Sequence, residues 1–403
     1  MAHPEAPRLL EWLQGRRDEL ADFAMALTRL ESPSTDPETQ EAVFRLIAEA
    51  LEDLGLAVRR IPGKLTGGQL LARPSEGASR SSGMQMLVGH VDTVWPLGTL
   101  DRMPVDERNG HLVGPGIFDM KGGLAQMVFA LRALRALELE PSLAPVIFLN
   151  SDEEIGSPES EGTIRKLARR ANRALVMEPA LEPVGKLKTT RRGTGRFTIR
   201  IRGKSAHTGL APGEGASAIL ALSHVVQRLH ELSDVERGIT VNVGEIQGGT
   251  RPNVVAADAR AEVDVRVRTV EDARWLEERV AEIQAGPPPI PGTSVEIRGA
   301  VDRPPMEGTP RNRALWRAAK KVAEAMELQV QEGMSGGASD GNTTSLYTAT
   351  LDGLGAVGDG AHALHEYVEV ERMPERAALL AGVLLLPDTG GEEKTTGEAE
   401  GEA

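Results

Sequence analysis

Up to about residue 185, the chain alternates two kinds of apolar pattern. Residues 9–30 and 38–54 carry apolar side chains three and four positions apart and predict amphipathic helices, the second closed by Gly55. Residues 84–89 (MQMLVG), 145–150 (PVIFLN) and 174–177 (ALVM) are short apolar runs that predict buried strands. Residues 124–137 return to helical spacing. Strands buried on both sides and separated by helices predict an α/β fold with a helix-covered mixed sheet.

The texture changes near Lys188. RFTIRIR (196–202) strictly alternates polar and apolar residues, which predicts a half-exposed strand with Arg200 and Arg202 on its solvated face. A helix at 216–232, strands at 239–246 and 259–267, a helix at 270–283 and a strand at 294–298 follow, with a proline-rich break at 287–291. That order predicts a small α+β (ferredoxin-like) sandwich. The expected organisation is a catalytic domain at 1–187, an inserted domain at 188–303, a second catalytic segment at 304–387, and an acidic tail at 388–403. The tail lacks large apolar residues and reads as disordered.

Composition narrows the chemistry. Among 403 residues there is no cysteine, so disulfides, a thiol nucleophile and Cys-ligated metals are excluded. A net charge of −13 argues against nucleic-acid or anionic-membrane partners. No apolar run approaches the ~18–20 residues needed to span a bilayer. The first residues lack a signal-peptide pattern, so a cytoplasmic location is expected. The Gly-rich stretch GPGIFDMKGG (114–123) lacks the dinucleotide fingerprint and puts Asp119 where a phosphate would need donors.

Five short segments carry acids or histidines after predicted strands or within glycine loops: GHVDTV (89–94), GPGIFDMKGG, NSDEEIG (150–156), MEP (177–179) and GDGAHALHE (358–366). Each alone has an ordinary structural reading, such as a core pair or a solvated loop. Together they offer only nitrogen and oxygen ligands, the set that two divalent ions sharing a carboxylate require. His90, Asp119 and Glu178 can serve one ion; Asp119, Glu154 and His362 can serve the other. In an extended chain Asp92 shares a face with His90 and can hold one ring nitrogen. Glu153 is left beside the metals as a general base. A non-catalytic metal-binding protein would have no use for that base.

With these motifs, and with GKSAHTG (203–209) and GGTRPNVV (248–255), the chain resembles the M20 family of co-catalytic zinc peptidases, most closely its glutamate carboxypeptidase branch. The resemblance spans about residues 10–387. It implies Asp119 as the bridge and favours His362 over His365, since the family spaces its last His four residues before a Glu, as His362 is before Glu366. It implies that the inserted domain is a lid and dimerisation domain, so a homodimer is expected. His207 would stabilise the oxyanion from the other subunit. Asn253, Arg266, Lys186 and the Gly336, Gly337 and Ser339 loop would bind the substrate. Two Zn2+ ions are implied, with Co2+ or Mn2+ also suited to such ligands. The implied reaction is hydrolysis of an amide beside a free carboxylate, in a small peptide or an N-acyl amino acid. Deacylase or dipeptidase activity is the alternative.

Overall fold

The computed structural model describes residues 4–75 and 83–388. The tail expected at 388–403 lies, from 389 onward, outside the described residues. The chain is a mixed α/β protein with two compact units. Among the described residues, unit 1 is drawn from 1–189, 308–333 and 343–403, and unit 2 from 190–307 and 334–342. Residues 334–342, counted above with the second catalytic segment, therefore pack with unit 2. Among the described residues, no helix is long and apolar enough to cross a membrane.

Unit 1 is built on a six-stranded sheet. Across it run Leu56–Ile61, Gln69–Pro74, Ala144–Asn150, Met84–His90, Arg173–Val176 and Ala349–Leu351. The first two pairings are antiparallel and the remaining three parallel. The apolar runs have two buried faces. Leu87, Ile147, Leu149 and Leu175 enter the main core, while Met86, Val88, Phe148, Ala174 and Val176 enter a smaller core on the opposite face. Helices Gly122–Ala136 and Met373–Leu384 cover the main-core side and are buried along almost their whole length. The long helix expected at 9–30 is two helices, Ala6–Gln14 and Arg17–Thr28, with Gly15 capping the first. Leu56–Ile61 at the sheet edge and Gln69–Pro74 beside it lack a clean apolar period, and neither they nor the helix Glu161–Ala168 was expected.

Parallel pairing fixes where the strands end. His90 lies opposite Asn150, and Val88 opposite Val176. Three neighbouring strands thus finish at one sheet edge, delivering His90, then Glu153 and Glu154, then Glu178. Carboxyl edges of parallel strands are where α/β sheets place their sites.

Unit 2 holds a four-stranded antiparallel sheet in the order Thr240–Gly248, Asp258–Val267, Gly193–Arg202, Ser294–Arg303. Helices Ala218–His230 and Val270–Ala285 share its apolar core with Phe197, Ile199, Ile201, Ala261, Val263 and Val265. The alternate positions, among them Arg200, Arg202 and Arg260, are exposed. Ser217 and Thr269 cap the two helices through their hydroxyls.

The chain segment carrying Glu178 is gripped closely. A Cβ on Gly123 or on Gly355 would come within 2.2 Å of the same atom, the Met177 carbonyl oxygen. Backbone has no room to retreat there, so Gly123→Ala should cost about 1–3 kcal/mol as an overpacked site. Denaturant unfolding of the variant against the parent measures this; an unchanged midpoint would show that the neighbouring segment yields.

Candidate metal centre

His90 closes its strand almost fully buried, 1% exposed. Its Nδ1 lies 3.0 Å from the Asp92 backbone oxygen and 3.5 Å from Asp92 Oδ1. The Nδ1 proton is therefore held mainly by the carbonyl, with the carboxylate behind it, and Nε2 is the nitrogen turned to Asp119 and Glu178. The Asp92 carboxylate has further partners. It accepts from Ser34 Oγ (2.7 Å), from the Glu153 N–H (3.3 Å) and from the Glu154 N–H (3.2 Å). One acid thus ties the His90 strand to the turn that carries both glutamates.

Asp119 sits in the turn Ile117–Lys121 with non-helical backbone angles, and the Asp119–Met120 peptide is cis. Its two oxygens divide between two histidines: Oδ1 lies 3.2 Å from His90 Nε2, and Oδ2 lies 3.5 Å from His362 Nε2. Glu178 Oε1 is 3.5 Å from His90 Nε2, and Glu154 Oε2 is 3.3 Å from His362 Nε2. His362 has φ +61°, in the left-handed region, and its side chain is 51% exposed. Of the two histidines in this loop, His362 is the one beside Asp119 and Glu154.

Among the described residues, two sets place their ligand atoms within 4.8 Å of one another: His90, Asp119 and Glu154, and His90, Glu153 and Glu178. Glu153 therefore belongs to the cluster itself. His90 Nε2 and Asp119 Oδ1 are buried without a hydrogen-bond partner. Such orphaned atoms are costly unless another group completes them, and a hard or borderline divalent cation matches this nitrogen and oxygen donor set.

The electrostatics agree. Burial opposes charge on His90, but the surrounding carboxylates of Asp119, Asp92 and Glu178 outweigh that and lift its pKa well above the usual value. Bonds to Asp119 and Glu154 raise His362 to about 10. Burial also opposes ionisation of Asp119, yet His362 and His90 hold it below the normal carboxylate range. Burial and the nearby Asp119 charge push Glu154 up to about 7. Protons on the histidines thus stand where cations would.

Two residues were missed by sequence reasoning. Lys188 is buried, with Nζ 3.6 Å from Glu178 Oε2 and 4.0 Å from Asp352 Oδ1. Lys186, the lysine expected to face substrate, is paired with Glu182 at 2.6 Å. The pattern of the basic run does not say which lysine turns inward; the backbone pairing of Lys188 with Asp352 does. Glu366, noted above only for its spacing, accepts from Trp95 Nε1, Gly116 N and Phe118 N at 2.9 Å and from Asp119 N at 3.1 Å.

The remaining expected residues lie in unit 2. His207 is exposed, and its Nδ1 accepts from the Gly209 N–H at 3.1 Å, so the neutral ring presents Nε2–H as a donor. The Asn253 backbone oxygen accepts from Thr208 N and Oγ1, both at 3.2 Å. Arg266 is paired with Asp264 through Nε (2.9 Å) and Nη2 (3.0 Å). Gly336 and Gly337 are exposed, and the Gly337 oxygen accepts from Arg191 Nε at 2.9 Å. Ser339 is buried, its hydroxyl accepting from Gly341 N at 3.0 Å.

The raised histidine pKa values set the sign of a pH effect. Each ring holds its proton at neutral pH, and a cation must displace it to reach Nε2. Affinity should therefore rise with pH up to and through about pH 10, where His362 is half deprotonated. Calorimetric Zn2+ titration at pH 7, in buffers of different ionisation enthalpy, should show about two protons released per chain. Binding without proton release would contradict these protonation states.

Residues 86–386 match peptidase family M20/M25/M40. Carboxypeptidase G2 of Pseudomonas sp. (strain RS-16) is 27% identical over 368 residues, covering 89% of this chain and 87% of that protein. A succinyl-diaminopimelate desuccinylase of Delftia acidovorans is 28% identical over 359 residues, covering 84% and 90%. The crystal structure of aminopeptidase PepT from Bacillus cereus shares the fold, with a TM-score of 0.77 at 22% identity over 91% of this chain and 98% of that one. With the family matched across most of its length, the chain belongs to peptidase family M20/M25/M40 and is a hydrolase of the peptidase and amidohydrolase class.

Proposed function

We propose that the chain is a dinuclear-metal exopeptidase that hydrolyses an amide bond beside a free carboxylate, in the manner of a glutamate carboxypeptidase. The observation that carries this reading is Asp119, with one oxygen turned to His90 and the other to His362. His90, Asp119 and Glu178 would hold one ion, and Asp119, Glu154 and His362 the other, with Zn2+ the expected metal and Co2+ or Mn2+ suited to the same ligands. When bound, such a pair polarises a carbonyl and acidifies a water at neutral pH.

The chain's own groups supply the remaining steps. Asp92 fixes the His90 ring and the backbone of the Glu153–Glu154 turn. Glu153 takes the proton of the attacking water and returns it to the leaving amine. The Nε2–H of His207 donates to the oxyanion that develops on the carbonyl. Arg266 and Asn253, with Lys186 and the Gly336, Gly337 and Ser339 loop, receive the substrate's carbonyl and carboxylate. The Arg266 fork suits that task once it exchanges Asp264 for the substrate. The expected dimer, formed through unit 2 acting as a lid, would let His207 serve the other subunit's site.

A second reading, an N-acyl-amino-acid deacylase, is favoured by the likeness to the desuccinylase. Both reactions cleave an amide near a carboxylate, so the leaving group decides between them. A panel of N-blocked dipeptides, free dipeptides and N-acyl amino acids, offered to the Zn2+-loaded protein, should show release of a C-terminal acidic residue. Exclusive turnover of small acyl amino acids would select the deacylase.

Glu153→Gln should abolish turnover while two metal ions per chain are retained, measured by metal analysis beside kinetics; near-normal kcat would remove Glu153 as the base. His207→Ala should lower kcat by about 10²–10³. Mixing the two inactive variants tests the dimer, because a subunit with intact Glu153 would borrow His207 from its neighbour. Activity that fails to reappear on mixing would place His207 in its own subunit's site or outside the reaction.

A further inference from the structure

We infer that Glu366 is a positioning residue: its carboxylate grips the backbone of the 116–119 loop and so sets Asp119 between the two histidines. The inference rests on the two-ion reading proposed above and assigns to that site a residue that touches neither ion nor substrate.

The loop before Asp119 leaves its backbone donors without a helical ladder. Gly116 takes φ +75°, and a Cβ there would meet Thr93 Cγ2 at 2.5 Å, so a side chain would be strained and would have to displace Thr93. The turn that follows departs from helical angles at Asp119 and Met120. Three N–H groups, from Gly116, Phe118 and Asp119, consequently converge on one point and need an acceptor. Glu366 fills it. Oε1 accepts from Phe118 (2.9 Å) and Asp119 (3.1 Å), and Oε2 from Gly116 (2.9 Å) and the Trp95 indole (2.9 Å). Four donors meet the roughly four lone-pair directions of an ionised carboxylate. The residue is fully buried.

This arrangement explains why the position carries an acid. A glutamine could satisfy one pair of donors, but its amide nitrogen would then face the other pair, donor against donor. It also explains the spacing from His362. The turn between them is closed by Ala363 N to Gly360 O (2.8 Å) and Glu366 N to Ala363 O (3.0 Å). One short segment therefore presents a histidine to Asp119 Oδ2 and clamps the Asp119 N–H from behind. The two loops cannot shift independently.

Because Asp119 faces both histidines, loosening it should weaken both ions together. Co2+ reports this directly through its visible ligand-field bands, which follow coordination geometry. Wild-type metal-free chain should bind two Co2+. Glu366→Gln should bind both about 10–100-fold more weakly, the usual effect of removing an outer partner of a ligand, with shifted bands. Trp95→Phe removes one donor of four and should weaken binding by about a few-fold; it keeps the test alive where Glu366→Gln fails to fold. Glu159→Gln is the structural control. Glu159 likewise accepts from three backbone N–H groups, those of Lys64, Leu65 and Thr66, but that loop presents no ligand. It should lower the melting temperature and leave the Co2+ spectrum as in wild type. Equal affinities and unchanged bands in Glu366→Gln and Trp95→Phe, with wild type binding two ions, would overturn the inference alone. A wild-type chain that binds no Co2+ would overturn the two-ion reading and this inference with it.

Discussion

Like charges crowded at one sheet edge are the constraint on which unit 1 depends. Asp119, Glu153, Glu154 and Glu178 meet around His90 and His362 in a largely buried space, where each further anion raises the cost of the last. Without cations, that cost is met by protons on the histidines, by a Glu154 pKa raised to about 7, and by the Lys188 ammonium near Glu178. Such a cluster would spread apart if its backbone allowed it. Much of the surrounding architecture prevents that spreading.

The restraint is supplied mostly by backbone. Three strands in fixed register end together, so His90, the Glu153–Glu154 turn and Glu178 start from one level. Asp92 binds two of these segments to each other, and Ser34 holds Asp92. Behind Glu178, Gly123 and Gly355 close on the Met177 carbonyl. The buried Arg376 donates to the carbonyls of Gly355, Gly185 and Gly353, stiffening the loop that pairs with the Glu178 segment. Asp92, Ser34, Gly123, Gly355 and Arg376 are not candidate ligands, yet each limits where a ligand can go.

Much of this was legible in the sequence because it was written locally. Runs such as PVIFLN have apolar residues on both faces, and only a strand buried on both sides uses them. An acid or histidine just past such a run falls at the sheet edge, which is how His90, Glu154 and Glu178 could be found. The missed features are written between distant positions. Glu366 meets Gly116 some 250 residues earlier in the chain, and nothing near Glu366 records three stray N–H groups there. Lys186 and Lys188 share one basic run; only the pairing of Lys188 with Asp352 turns one of them inward. The edge strand LAVRRI carries two arginines, so its apolar period is broken although its backbone pairs fully.

The two histidines differ in their access to water. His90 is sealed in the sheet, whereas His362 stands half in solvent on a left-handed residue of a surface loop. The cluster therefore has a closed pole and an open pole. Under the two-ion reading proposed above, the ion at the His362 end would be the more open to solvent and to chelators, a difference set by burial and not by ligand chemistry.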